Sequence, residues 1–465
     1  MGKAVSSFGA LAVRRLEDFV YGRSPFPVTC GNGVEIGTGI VIPEVNFTLQ
    51  TIDINADTWP AIRRIYTETI EGICKRAVEL EVPALLVEFE TLPPMTIHPP
   101  WGLEIARILS DKLRVYHEKS GLKAALRLTP NDTRDHQRPP LMRRGTYWDG
   151  MIEVFQAAPG AGADLVAIES TGGKEVCDEA LTACDLRTVV FALGVLGARD
   201  MEFLWTEIVR ACQGTATIPS GDTACGFANT AMVLADQRFI PKVFAAVVRV
   251  VSVPRSLVAY EVGAKGPSKD CAYEGPYMKA IAGVPISMEG KSAACAHLSH
   301  VGNVSQAVCD CWSNESVQNV RLLSASAPVV SLEQLAYDCR LMNVAARRSE
   351  DHARTLRDLL AESDAALDPQ AYVLRPDVVL RLSADIIKEE GAYRRTVRAA
   401  QAAVTELNRA AKEGEVRLSD REKTWLDRLK EQADSLPESE EEMVREMLSS
   451  PCAEKFLPEE YGIPT

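Results

Sequence analysis

The chain has 465 residues, 46% hydrophobic and 25% charged, enough apolar material for a large core and long for one domain unless it is a barrel with insertions. A net charge of −13 offers no surface for a polyphosphate, so nucleic acid is excluded as a partner. With no apolar run of about 18 residues and no export signal, the chain is expected to be cytoplasmic, with no membrane span and with its 12 cysteines reduced and mostly buried.

In chain order, MGKAVSSFGALAVRRLEDF fits a loose myristoylation pattern at Gly2 and Ser6 but reads as a surface helix. The Gly-rich stretch 30–47 reads as an ordered loop or hairpin, and 59–81 as a helix. Buried strands are predicted at 83–89, 123–128, 164–169, 188–197, 215–220, 255–263 and 283–287, with a weaker eighth at 319–323. Amphipathic helices at 173–185, 200–213, 239–252 and 277–283 lie between them. Such alternation implies parallel βαβ units. Eight of them, with no G-x-G-x-x-G opening a helix, predict an α/β fold, a (β/α)8 TIM barrel with an additional N- and C-terminal helical layer. The expected division is an N-terminal extension packing on the barrel (1–80), the barrel itself (81–330) and a C-terminal helical region (331–465). In that last region SLPESEEEMVREML places Pro and Glu in a first helical turn, where the helix dipole favours negative charge.

Barrel active sites are built from the carboxyl ends of strands and the loops just after them. That filter selects Glu169 in AIESTGG, Cys225 in SGDTACGF and Cys271 in GAKGPSKDCAYE. Cys225 stands among small and polar residues, where a buried thiol would be surrounded by Val, Leu and Phe. Two thiols and a carboxylate from three distant loops suit a catalytic Zn²⁺ with its fourth position open to substrate. The plainer alternative is two structural cysteines and a solvated glutamate. Cys295, His297 and His300 in CAHLSH form a rival metal set, without a paired C-x₂-C spacing. Cys309 and Cys311 in CDCW are expected in a helix, on different faces. Glu88 and Glu90 close the first predicted strand, at least one of them in a structural salt bridge. Asp222 either hydrogen-bonds around the metal or caps the next helix. Lys174 and Glu175 read as an exposed helix start.

The stretches IGTGIVIPEVNF, AIESTGGKEV, SGDTACGFANTAM, PRSLVAYEVGAKGPSKDCAYE, EGKSAACAH, CWSNES and KFLPEEYG occur in one order along nearly the whole chain. Together they resemble the zinc-containing, methanol-cleaving subunit of methanol:corrinoid methyltransferases. The resemblance implies a TIM barrel with extra helices that binds one zinc per chain through Glu169, Cys225 and Cys271, which also serve as its catalytic residues. It implies cleavage of the C–O bond of methanol held by the zinc and transfer of the methyl group to cob(I)alamin on a separate corrinoid-binding protein, in methanogenesis or acetogenesis. It further implies a homodimer of this chain within a heterotetramer. No cobalamin-binding D-x-H-x-x-G motif occurs, so the corrinoid comes with the partner. The alternatives are another methyl donor, a thiol acceptor, or a non-catalytic subunit that docks the corrinoid protein. The segment LTPNDTRDHQRPPLMRRG and much of the C-terminal helical region depart from the family pattern.

Overall fold

The computed structural model describes residues 8–49, 52–269, 271–290, 300–317 and 325–464. The Gly-rich stretch near the start contains an antiparallel hairpin, β1 (Arg23–Cys30) and β2 (Val34–Thr38), followed by a strand that sequence patterning did not separate from it, β3 (Ile42–Thr48). Cys30, Val34 and Ile36 of the hairpin pack on Ile42, Ala84, Leu86, Ala125 and Leu165, closing the amino-terminal end of the sheet that β3 opens.

That sheet is parallel and runs β7-β6-β5-β4-β3-β9-β8, with β4 (Leu85–Glu90), β5 (Ala124–Thr129), β6 (Leu165–Ile168), β7 (Ile218–Asp222), β8 (Ser287–Glu289) and β9 (Cys311–Val317). The gap between β7 and β8 is filled by Lys265–Ser268. Lys265 N–H donates to Pro219 O at 2.8 Å and Gly266 N–H to Ser220 O at 2.7 Å, while Ser268 bridges Ile286 on the other side. Seven strands and this short stave complete the ring, as a TIM barrel requires. β4 and β5 are buried almost throughout, as parallel strands covered on both faces must be.

Four predicted elements are corrected. The apolar run 188–197 is helical, as a helix at Leu186–Phe191 that widens into a π-helical turn at Ala192–Gly197. The run 255–263 falls mostly within the helix Lys242–Glu261. Cys311 begins a strand, where a helix was expected, and the predicted strand 319–323 lies outside the described residues. Residues 8–19 carry only a three-residue turn at Leu16–Asp18, so the expected surface helix is absent there; residues 1–7 lie outside the described set. By length and composition, Lys242–Glu261 is apolar enough to cross a membrane, but its whole apolar window is buried inside the protein. It packs against the helix Ala392–Glu413 and carries the buried Arg249 and Arg255, which suits a core helix.

The ring interior is polar. Arg127 on β5 donates through Nε to Glu44 Oε1 at 2.8 Å and through Nη1 to Pro267 O at 3.0 Å and Ser220 Oγ at 3.2 Å. All of these groups are buried, and the guanidinium thereby ties β3, β7 and the short stave together across the barrel.

The carboxyl end of the chain returns to this ring. Tyr461 accepts from Gly173 N–H at 3.1 Å and donates to Glu175 Oε1 at 2.6 Å. Glu175 is therefore buried, against the expectation of an exposed helix start. Burial pushes its carboxyl from 4.5 up to about 7, with the Tyr461 hydrogen bond pulling the other way. Between those two values the folded state holds a proton that the unfolded chain has released. Stability is therefore expected to fall as pH rises from about 4.5 to about 7 and to level off above that. Urea denaturation of wild type and Glu175→Gln across this range checks it: the difference between the two should shrink toward acid pH, and parallel curves would contradict the assignment.

Candidate metal centre

Glu169, Cys225 and Cys271 follow three consecutive staves, β6, β7 and Lys265–Ser268, at the carboxyl mouth of the ring. Their ligand atoms all lie within 4.8 Å of one another, and Cys271 Sγ donates to Glu169 Oε1 at 2.7 Å. Cys271 thus follows the short stave, and not a strand at 255–263. Among the described residues, every cysteine is a free thiol, and only Cys225 and Cys452 are not fully buried. Most of the cysteines are core filler, as expected, and Cys225 is set apart.

Each loop is fixed by its own sequence. After Glu169, Gly172 leaves no room for a Cβ against Asp200, and Gly173 adopts φ +85 where a Cβ would strike Ala192 O. Asp132 accepts from Thr171 N–H at 2.9 Å, and Arg134 holds Asp132 and Asp200 together with two hydrogen bonds to each. Cys225 opens a π-helical turn, Cys225–Asn229, in which Asn229 Nδ2 points to Cys225 Sγ at 3.6 Å. The two cysteine loops are joined by Glu274, which accepts from Ala224 N–H at 2.7 Å, Ser256 Oγ at 2.8 Å and Thr223 Oγ1 at 3.2 Å. Ala272 N–H in turn donates to Thr223 Oγ1 at 3.0 Å.

Asp222 ends β7 and accepts from Trp205 Nε1 at 2.9 Å, Ser170 N–H at 3.3 Å and Arg255 Nη1 at 3.4 Å. It caps no helix. Its role is to hold the residue next to Glu169. Glu88 is the salt-bridged carboxylate, 2.6 Å from Lys269 Nζ, while Glu90 lies 4.0 Å from that amine and lines the mouth. Lys174 pairs with Asp178 at 2.6 Å at the rim. Of the rival set, Cys295 and His297 lie outside the described residues, and the His300 ring is bonded to Asp364 on the helix Glu350–Asp364. Lys269, Glu274 and Arg134 were not foreseen. Lys269 and Glu274 flank Cys271 within three residues, a signal the sequence did carry; Arg134 in NDTRD gave none, because its partner Asp200 is 66 residues away.

Burial and the neighbouring carboxylate keep both thiols of the cluster protonated. Contact with the Cys271 sulfur pulls the Cys225 thiol down, but burial and the Glu169 charge outweigh it and push the thiol up to about 12. The same contact, burial and neighbouring negative charges hold Cys271 well above the ordinary thiol range. Two thiols and a carboxylate become strong ligands when a divalent ion supplies the missing positive charge. The cluster opens on a cleft of about 510 Å³, lined by Glu90, Asn131, His136, Lys174, Asn229 and Leu234 among others. That is far more room than a one-carbon substrate needs.

A ring of parallel staves with soft and acidic donors gathered at its carboxyl mouth defines a TIM-barrel protein with a candidate catalytic metal centre. The model of the methanol-cobalamin methyltransferase B subunit family matches residues 5–462, and the chain belongs to that family. It is 37% identical over 465 residues to the methanol–corrinoid protein co-methyltransferase of Methanosarcina barkeri (strain Fusaro / DSM 804), spanning 99% of this chain and 100% of the relative. A chain in the crystal structure of the methanol:cobalamin methyltransferase complex MtaBC from Methanosarcina barkeri superposes with a TM-score of 0.93 at 36% identity, covering 98% of this chain and 100% of that one.

Proposed function

We propose that the chain holds one zinc ion through Glu169, Cys225 and Cys271 and transfers the methyl group of methanol to the cobalt of a corrinoid carried by a separate protein. The observation that carries this reading is the convergence of those three side chains within 4.8 Å at a barrel mouth. Zinc bonds sulfur at about 2.3 Å and carboxylate oxygen at about 2.0–2.2 Å, a span these atoms can share after small side-chain adjustments. The whole-length match to a methanol–corrinoid protein co-methyltransferase supports the substrate and the acceptor.

In the reaction, the electron pair of cobalt(I) forms the new bond to the methyl carbon. The C–O bond breaks with its pair going to oxygen, which takes up a proton and leaves as water. Hydroxide is a poor leaving group, and zinc supplies the Lewis acidity that stabilises negative charge as it develops on oxygen. The chain's residues hold the geometry. Asp222 and Asp132 fix the loop behind Glu169, and Glu274 fixes the two thiol loops relative to each other. In-line displacement needs cobalt, carbon and oxygen nearly collinear, and an error near 1 Å can cost about a hundredfold. The corrinoid protein therefore caps the carboxyl mouth, and the cleft beside the cluster receives the macrocycle. As in the reading from sequence, two copies of the chain pair, each serving one corrinoid protein.

The test has two arms: methyl-cobalamin formation on the corrinoid protein with methanol or a methoxy compound as donor, and, separately, loss of the methyl group from methylated cobalamin to a thiol acceptor. Methanol is expected to turn over fastest, and free cob(I)alamin to be methylated slowly because orientation is lost. Faster thiol methylation, or no turnover with any donor, would replace this reading with the thiol-acceptor or docking alternative.

A further inference from the structure

Lys269 has no part in the reaction as written above, yet its buried amine lies among three carboxylates beside the cluster. It directly follows the short stave, two residues before Cys271, and its side chain is 1% exposed. Its Nζ lies 2.6 Å from Glu88 Oε1, 3.6 Å from Glu169 Oε1 and 4.0 Å from Glu90 Oε2. Glu88 is itself held by Thr129 Oγ1 at 2.6 Å, so the ammonium has a fixed anchor. The oxygen of Glu169 that faces Lys269 is the same Oε1 that meets Cys271 Sγ at 2.7 Å, the one turned toward the cluster.

We propose that Lys269 is a positioning residue that competes with the metal for the Glu169 carboxylate, weakening metal binding while keeping the bound ion electron-poor. The proposal rests on the metal reading given above. A carboxylate oxygen shared with a buried ammonium donates less charge to a cation that binds at the same oxygen. The ammonium, itself shielded from water, also repels that cation at short range. Removing the ammonium takes one positive charge from beside Glu169, Glu88 and Glu90, which favours a cation at the cluster. Affinity and activity should therefore move in opposite directions. An outer residue that merely orients a ligand behaves otherwise: its loss typically lowers metal affinity or activity by about 10–100-fold.

The experiment compares zinc affinity, by competition with a chromophoric chelator, in wild type, Lys269→Arg, Lys269→Met and the double variant Lys269→Met with Glu88→Gln. Lys269→Met is expected to bind zinc at least about tenfold more tightly and, fully loaded, to have a kcat lower by about tenfold or more with little change in KM for methanol. Lys269→Arg keeps the charge and should stay close to wild type. The double variant, which replaces the buried pair by neutral groups, should lie between wild type and Lys269→Met, and it decides on the same criterion if Lys269→Met fails to fold. Folded variants that bind zinc no more tightly than wild type overturn the role of Lys269. Wild type that takes up no zinc overturns the metal reading itself, and the two failures are thus told apart.

Discussion

Replacing Cys225 or Cys271 by Ala is expected to abolish both zinc retention and methyl transfer while the barrel stays folded. Each substitution leaves two protein ligands, and no other His, Cys, Asp or Glu group among the described residues stands ready as a third in that cluster. The magnitude follows from the leaving group. Water bound to zinc has a pKa as low as about 7 against about 15.7 in bulk, so stabilisation of departing hydroxide has a ceiling of about 12 kcal/mol. Two thiolates donate charge and lower that ceiling, and only part of the charge develops in the transition state. A third of it still corresponds to about a thousandfold in rate. The fold should survive because the loops are held by other contacts: Glu274 to Thr223 and Ala224, Arg255 to Asp222, and Arg127 across the ring. Metal analysis after dialysis, with far-ultraviolet circular dichroism as the check on folding, reads the result. Full zinc occupancy in both variants would remove Cys225 and Cys271 from the ligand set.

Arg134→Met is expected to have the largest effect on stability, a loss of about 3–5 kcal/mol, because it leaves buried carboxylates without their countercharge. The guanidinium is fully buried and donates to both oxygens of Asp132, at 2.7 and 2.8 Å, and to both of Asp200, at 2.7 and 2.9 Å. Neither carboxylate can reach water, and a Met side chain offers no hydrogen. Asp132 also receives Thr171 N–H and Oγ1, so the loss should spread to the loop that carries Glu169. Chemical denaturation should show a lower midpoint, and zinc affinity should fall with it. The exposed Arg114, which pairs with Asp111 and Glu118 on a surface helix, is the control, and its replacement by Met should leave the midpoint unchanged. An Arg134→Met midpoint equal to that of the control would mean that the buried pair is not holding the loop.

Several parts of this protein are determined by sequence alone. The strands Leu85–Glu90, Ala124–Thr129 and Leu165–Ile168 are short apolar runs bounded by turn residues, and the parallel barrel follows from their alternation with amphipathic helices. Glu169 and Cys225 are selected by position too, since the ends of their strands are legible, whereas Cys271 is selected from an expected strand at 255–263 that is helical. Apolar runs buried on every side were ambiguous. Residues 188–197 and 255–263 carry no period that separates a core strand from a core helix, and the helix Lys242–Glu261 lacks an exposed polar face because it is buried along nearly its whole length. The stave Lys265–Ser268 has no strand signal of its own, and its pairing with Pro219, Ser220 and Ile286 makes it one. Tertiary structure likewise decided that Glu88 and Glu169 share Lys269, that Asp222 faces Ser170 rather than a helix end, and that Tyr461 buries Glu175. The physical reason is common to all of these. A side chain's charge state and partners are set by the groups that the closed ring brings within a few ångströms, and those groups lie tens to hundreds of residues away along the chain.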